Sequence, residues 1–588
     1  MRSLILLLSC ALFSLAAADH RAKTALMLLE KRAPQHPAHQ LGLKGQEPLN
    51  VHTLITDRLF LSKLSDQQKN QLISYRDTLA ANLRAGGHPK FPAPSGYQRQ
   101  SHKGWGVFIH DTLLKKHPKE TLRALHLLEY QLQDIIDRVP APAVSYLKKV
   151  PLYFSPSDIG HGGACHHPSS QWLKNNNRPV EMAKTVEFSN ILNFEKETRR
   201  MPNFALHELA HAYHNHLLGD QHPAILKAYH SAKKSEKFTN LPKRTGDLKK
   251  PLTSSKGPTY AMTNQMEYFA ETTEAYFTEN DITPYNRASL REMDPKVIPL
   301  LEKIWGVKKS KHPLLAADRI LFLGDSITAS RDYVIDLQAA LHLHGHVPEI
   351  IASGLSSEGV TGLSEPRHPF PRPNVHERLS RALEKVKPDL VIACYGMNDG
   401  IYYPFSLDRF AAYQQGLQKL IDASHAAGAK MILVTPPPFD VQAHKEAQSI
   451  DAKEFHWGAN YRHYDRDVIA PYARWVMAQK SHVTRVVDAH TPITTHYIAE
   501  RNKDKAYALS EDGVHINRAG HRLLAEVIYQ DLFAKPMPEL PKELVEFYTK
   551  RQSFLAPAWL SHIGHKRPGI KDGLPLHLAQ ARAAATLR

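Results

Sequence analysis

From residue 320 onward, five short apolar runs recur, at 320–323, 349–352, 390–393, 431–434 and 484–487. Longer segments with helical apolar spacing lie between or after them, at 333–343, 375–386, 407–427 and 519–533. An apolar run of this length reads as a strand buried on both faces, and strands separated by helices predict a parallel sheet covered on both sides. The expected fold class of this half is therefore α/β. Ligand sites in such sheets collect on loops at the carboxyl ends of the strands.

At those ends, and in one late loop, sit Gly324-Asp325-Ser326, Gly354, Gly396-Met397-Asn398-Asp399 and Asp512-Gly513-Val514-His515. A serine hydroxyl barely ionises at neutral pH, so it needs a base in hydrogen-bond reach and a group that orients the base. Asp512 and His515 are close enough for one loop to carry both. The Ser326 and Gly354 backbone N–H groups and the Asn398 side-chain amide can supply donors to a tetrahedral oxyanion. Asp399 reads as a brace for its own loop, and His521 as a residue on a solvated helix face.

These four blocks resemble, in order and spacing, those of the SGNH (GDSL-type) hydrolase family over about residues 316–535. The resemblance implies a three-layer α/β/α sandwich with a five-stranded parallel sheet and no cofactor. It implies Ser326 as nucleophile, His515 as base, Asp512 as its partner, and Gly354 and Asn398 as the rest of the oxyanion hole. Ser353 and Ser357 occupy places in the second block where family members vary.

The first half carries a different pattern, His207-Glu208-Leu209-Ala210-His211, within a helical stretch over 204–218. A helix turns about 100° per residue, so the two histidines share a face and can hold one metal at about 2.0–2.1 Å. Glu208 stands where a general base would be needed. With 36 histidines in the chain the pentad alone is a weak signal, and a third ligand is required. The candidate is Glu267, with Glu271 one turn on to hydrogen-bond a ligating histidine and Tyr260 seven residues before it to steady an oxyanion. This arrangement resembles the lethal-factor-like group of zincin metallopeptidases, over roughly residues 101–305. The resemblance implies a mainly helical α+β domain with His207, His211 and Glu267 as Zn2+ ligands, Glu208 as base and Tyr260 as transition-state helper. His214 and His216 are assigned to a polar helix face.

At the amino terminus, Arg2 precedes an apolar run over 4–15 that ends in Ala16-Ala17-Ala18. This predicts a signal peptide cleaved after residue 18; the run falls short of the roughly 20 residues a membrane span needs. A secreted or periplasmic location is expected, and no later segment reads as transmembrane. Maturation would leave Cys165, read as a loop thiol, and Cys394, read as a core residue, in different domains. That argues against a disulfide framework. Residues 19–100 read as a helical region, 101–308 as the zincin-like domain, 306–313 as a linker, 316–535 as the SGNH domain and 536–588 as an appended tail.

A formal net charge of +17, with scattered Lys and Arg, predicts attraction to anionic envelope polymers rather than specific nucleic-acid recognition. The sequence thus points to an exported serine-dependent ester hydrolase fused to a zinc-dependent peptidase-like domain. Acylated carbohydrate or a small-molecule ester is the substrate expected by family analogy, and a peptide is the expected substrate of the zinc domain. The alternative is an envelope-associated binding protein whose zinc domain is structural and does not cut.

Overall fold

A computed structural model of the protein describes residues 94–588 except 158–162, 177 and 445. The expected signal peptide and residues 19–93 lie outside the described residues. The rest falls into two units that part between Lys308 and Lys309.

In the N-terminal unit, a hairpin of β1 (Tyr97–His102) and β2 (Trp105–His110) turns on Lys103 and Gly104, with φ of 50° and 91°. Positive φ at both turn residues matches the twist that two-residue hairpins need. The region expected to be helical up to residue 100 therefore ends as a strand. β3 (Leu152–Phe154) and β5 (Val186–Phe188) run parallel to β2, and β4 (Ala164–His166) closes one edge antiparallel to β5. The sheet order is β1-β2-β3-β5-β4. All six residues of β3 and β5 are buried, including Glu187, which pairs with His167 and Arg178.

Three helices frame this sheet's chemistry. Proline opens α1 (Pro118–Arg138), where its missing N–H costs nothing, and Leu125, Leu128, Leu132 and Ile135 form its buried stripe. Asn203 caps α2 (Phe204–Tyr213) by accepting from the Leu206 N–H, and the helix widens into a π turn over His214–Leu218. Asn264 caps α3 (Gln265–Phe277), accepting from the Met266 and Glu267 N–H groups; such caps satisfy donors the helix leaves open. A small hairpin, β6 (Pro242–Arg244) and β7 (Leu252–Ser254), completes the unit's strands among the described residues.

The C-terminal unit holds the expected parallel sheet. Its strands are β8 (Arg319–Gly324), β9 (Glu349–Gly354), β10 (Leu390–Cys394), β11 (Lys430–Val434) and β12 (Arg485–Val487), in the order β12-β11-β10-β8-β9. Ile320 through Leu323 and every residue of β10 are buried, so both sheet faces are covered. Its helices include α4 (Ser326–Ser330), α5 (Asp332–Leu343), α6 (Leu379–Val386), α7 (Leu407–Ala426), α8 (Arg518–Phe533) and α9 (Lys542–Ile563). The chain passes from β8 to β9 on one side, then returns to β10 on the other. That reversal leaves a crevice at the carboxyl ends of β8 and β10.

The final segment is not an appendage. α9 packs on α5 and β9, and its Ala556, Trp559 and Ile563 join the unit's core. Gln552 Nε2 donates to Gln338 Oε1 at 3.0 Å. The buried stripe runs through Leu544, Tyr548, Gln552, Ala556, Trp559 and Ile563; the polar Gln552 and the helix-breaking Pro557 conceal it in the sequence.

Candidate active site

Ser326 is the first residue of α4, immediately beyond β8, and its N–H has no intrahelical acceptor there. Asp325 caps the helix by accepting from the Ile327 N–H at 2.9 Å. From the loop before α8, His515 Nε2 reaches Ser326 Oγ at 2.8 Å. The other ring nitrogen, Nδ1, lies 2.6 Å from Asp512 Oδ2. Asp512 Oδ1 also accepts from the Val514 and His515 N–H groups at 2.9 and 2.7 Å, so the carboxylate folds its own loop while holding the ring. Gly513 bends that loop at φ 81°, and a Cβ there would meet the Asp440 carbonyl oxygen at 2.6 Å. Three residues predicted from sequence therefore meet as a hydroxyl, an imidazole and a carboxylate in series.

The hydrogen bond to Asp512 raises the pKa of His515 above its ordinary value. Burial opposes ionisation of Asp512, yet bonds from the His515 ring and backbone hold its carboxyl well below the usual range. A proton shared with Ser326 Oγ is thus drawn to the imidazole, with the anion fixed behind it.

Gly354 ends β9 against α4, where a Cβ would lie 2.3 Å from the Ala329 nitrogen. Only glycine permits that approach. Asn398, beyond β10, is buried, with Nδ2 donating to the Glu358 carbonyl at 3.0 Å. Asp399, expected to brace its own loop, instead ties down the loop after β9, its Oδ1 accepting from the Val360 and Thr361 N–H groups at 2.7 and 3.1 Å.

The GDSL-like Lipase/Acylhydrolase family matches residues 322–523, a span that holds all four blocks. The C-terminal unit carries an SGNH, GDSL-like acylhydrolase domain. No curated protein matches the chain. Similar solved structures include Axe2, an acetylxylan esterase from Geobacillus stearothermophilus, at 21% identity over 37% of this chain and 94% of that one, with a TM-score of 0.27. The acetyl xylan esterase AlAXEase is 17% identical over 36% and 98% of the two chains, TM-score 0.26. Esterase EstA from Pseudoalteromonas sp. is 17% identical over 37% and 97%, TM-score 0.25.

The SGNH domain also contains groups that sequence reasoning missed. Arg378, fully buried, binds both Glu358 oxygens at 2.7 Å and the Ser353 hydroxyl and carbonyl oxygens, also at 2.7 Å. Arg372 forms a second buried pair with Glu365, at 2.6 Å to each oxygen. Single arginines among 75 basic residues carry no spacing signal. His521 corrects another expectation: it is buried, 2.9 Å from Ser330 Oγ and stacked parallel to Tyr333. Burial lowers its pKa to about 4.

In the N-terminal unit, α2 and α3 bring His207, His211 and Glu267 together. The Nε2 atoms of the two histidines are 3.1 Å apart, and Glu267 Oε2 lies 3.3 and 3.1 Å from them. Tetrahedral ligands at about 2.0–2.1 Å from zinc stand about 3.3 Å from one another. His207 Nδ1 lies 2.8 Å from Glu274 Oε2; a neutral ring that donates there turns its Nε2 lone pair toward a second ring nitrogen and a carboxylate. Those three donor atoms repel unless a cation or proton sits among them, so the set fits a metal. Glu208 is pinned beside it, its Oε2 accepting from the His166 N–H at 2.8 Å on edge strand β4. Tyr260 is half exposed with its ring 6.4 Å from that of His207. Burial and the Glu267 carboxylate push the Tyr260 phenol up to about 12.

Three expectations change in this unit. Glu271 Oε1 is 3.9 Å from His207 Nδ1, too far for a hydrogen bond, and its other oxygen accepts from Asn280 at 2.7 Å. Glu274, one turn further along α3, takes the place expected of Glu271. His214 and His216 are buried rather than on a polar face, because the π turn keeps the chain inside the unit. His216 pairs with Tyr146 and His166 at 2.9 and 3.1 Å. Cys165 lies in β4 rather than a loop, and burial, with Glu208 nearby, pushes its thiol up to about 12.

Proposed function

We propose that the SGNH domain hydrolyses carboxylic esters through Ser326. The observation that carries this is the relay from Ser326 Oγ to His515 Nε2, 2.8 Å, and from His515 Nδ1 to Asp512, 2.6 Å. As Ser326 Oγ attacks the ester carbonyl, its proton passes to His515 Nε2. The imidazolium so formed is stabilised by Asp512. The oxyanion takes hydrogen bonds from Asn398 Nδ2 and from the Ser326 and Gly354 N–H groups; one such donor contributes about 3 kcal/mol to the barrier. His515 then returns the proton to the departing alcohol, and water, deprotonated by the same ring, releases the acyl group as acid. Acylated carbohydrate is the substrate class that the SGNH resemblance favours. Assay of the purified protein on a short-chain aryl acetate and on acetylated oligosaccharides tests both parts. Turnover that survives Ser326→Ala refutes the mechanism; turnover of the aryl ester with no acetate freed from any sugar refutes the substrate class.

The His207, His211 and Glu267 triangle supports a second reading, a zinc-dependent peptidase-like N-terminal unit. Zinc there would supply a Lewis acid to polarise a scissile carbonyl. Glu208 would take up and release a proton beside it, and Tyr260, with its hydroxyl protonated, would donate to the developing oxyanion. The competing reading is a structural zinc module that binds without cutting. Glu208→Gln separates them: cleavage of a casein or peptide library lost with zinc retained favours the peptidase, while a wild type that cuts nothing favours the binding module. Export completes the proposal, and amino-terminal sequencing of the mature protein should begin at Asp19; an intact Met1 on secreted protein refutes signal cleavage.

A further inference from the structure

The two ends of the Asn398 amide are told apart by neighbours that have no choice of role. Arg372 Nη1 lies 2.9 Å from Asn398 Oδ1, and a guanidinium only donates. At the other end a carbonyl, that of Glu358, faces Nδ2, and a carbonyl only accepts. Both constraints give the same orientation, and the Tyr402 hydroxyl donates a second bond to Oδ1 at 2.9 Å. Of the two Nδ2 hydrogens, Glu358 takes one; the other has no acceptor among the described residues.

The groups behind Oδ1 are themselves held. Arg372 is 6% exposed, its charge closed by Glu365 and its guanidinium 5.3 Å from the Tyr402 ring centre. So deep a guanidinium is placed to act on Asn398 rather than on a substrate anion. Ile401 and Tyr402 both adopt left-handed backbone, at φ 48° and 62°, a conformation that is costly for a β-branched residue. Strain of this kind persists where the surroundings over-determine it, commonly at functional sites. Here the strained pair delivers the Tyr402 hydroxyl to the amide oxygen.

We infer that Arg372 and Tyr402 are positioning residues that act through Asn398, aiming its second N–H at the oxyanion and polarising the amide by drawing electron density onto Oδ1. In a low-dielectric interior such chains of hydrogen bonds strengthen one another, so the donor presented to the oxyanion is stronger than an isolated amide. The inference rests on the ester-hydrolase reading. It differs from a packing role in one respect: its whole effect passes through a single side chain.

A double-mutant cycle with Asn398→Ala reads that difference. With an aryl acetate as substrate, Tyr402→Phe should lower kcat about 10-fold, and Arg372→Met combined with Glu365→Met about 100-fold, each with KM changed by less than about twofold. In the Asn398→Ala background the same changes should lower kcat by less than about twofold. A larger further loss there, or a loss expressed mainly in KM, overturns the inference. If the paired Arg372 and Glu365 variant fails to fold, the Tyr402→Phe arm decides alone. A wild type whose turnover is untouched by Ser326→Ala would instead remove the ester-hydrolase reading, an outcome separate from failure of the cycle.

Discussion

Both candidate centres turn on imidazole rings, and each fixes its rings in a different way. His515 sits on a loop with about half of its side chain exposed, and both of its nitrogens have partners within the chain. His207 and His211 sit on one buried helix and present their Nε2 atoms to each other and to Glu267. The first arrangement is closed: hydroxyl, ring and carboxylate satisfy one another, so its chemistry follows from its own atoms. In the second, two ring nitrogens and a carboxylate oxygen converge within 3.1–3.3 Å of one another, and under the proposed zinc reading its chemistry would depend on the cation they could hold. Exposure differs as well: the His515 side chain is 51% exposed and that of His207 is 6% exposed.

The sharpest break would come from Ser326→Ala, which should lower kcat at least ~1,000-fold while leaving the fold intact; retained turnover would mean the closed relay does no chemistry. Asp512→Asn should be nearly as severe, since it removes the anion that holds the ring's tautomer. The pH profile probes the same bond. Protonated His515 cannot accept the serine proton, and Asp512 raises its pKa. The rate should therefore fall on acidification through a pKa above the ordinary histidine value of about 6.5. A flat profile from pH 5 to 8, with chemistry rate-limiting, would contradict the assigned base.

The buried cluster should respond to metal instead. Metal analysis should find about one zinc per chain in the wild type and none in the His207→Ala, His211→Ala variant. A chelator should lower wild-type stability, by about 3 kcal/mol if zinc was present at 100 times its Kd, and leave the variant unmoved. Equal metal contents would end the zinc reading, and with it the contrast between a closed and an open centre.

The parallel sheet was legible because each strand is a short run buried on both faces, so burial and sequence carry the same signal. The Ser326, His515 and Asp512 constellation was legible because its residue types sit at strand ends and in one tight loop. Less visible were Arg372, Glu365, Arg378 and Glu358, charged residues that are buried in pairs. A sequence shows charge but not its partner, and without a partner a charge belongs on the surface. α9 stayed hidden for a related reason, a polar Gln552 lying in the middle of its buried stripe. Helical spacing pointed to Glu271 alone, although Glu274, three residues on, is also on α3 and is the one that meets His207. Which of the two meets His207 depends on ring orientation, and spacing does not encode that.

The smallest expected effect concerns the histidine that the relay does not use. His521 lies six residues beyond His515, and it meets Ser330, at the far end of α4 from Ser326. Its environment is the opposite of that of His515: no carboxylate among the described residues pairs with the ring, Tyr333 stacks on it, and burial lowers its pKa to about 4. Between pH 4 and about 6.5 the unfolded chain therefore binds a proton that the folded chain refuses, so this residue makes stability fall as pH falls through that window. From pH 7.5 to 5.5 the loss due to His521 should be about 1 kcal/mol. Denaturant melts of wild type and His521→Gln at both pH values measure it as a difference of differences, in which other titrating groups cancel. A variant as acid-sensitive as wild type would show that His521 carries its proton in the folded state. The two rings flanking α4 would then not be divided into one that exchanges a proton and one that only packs.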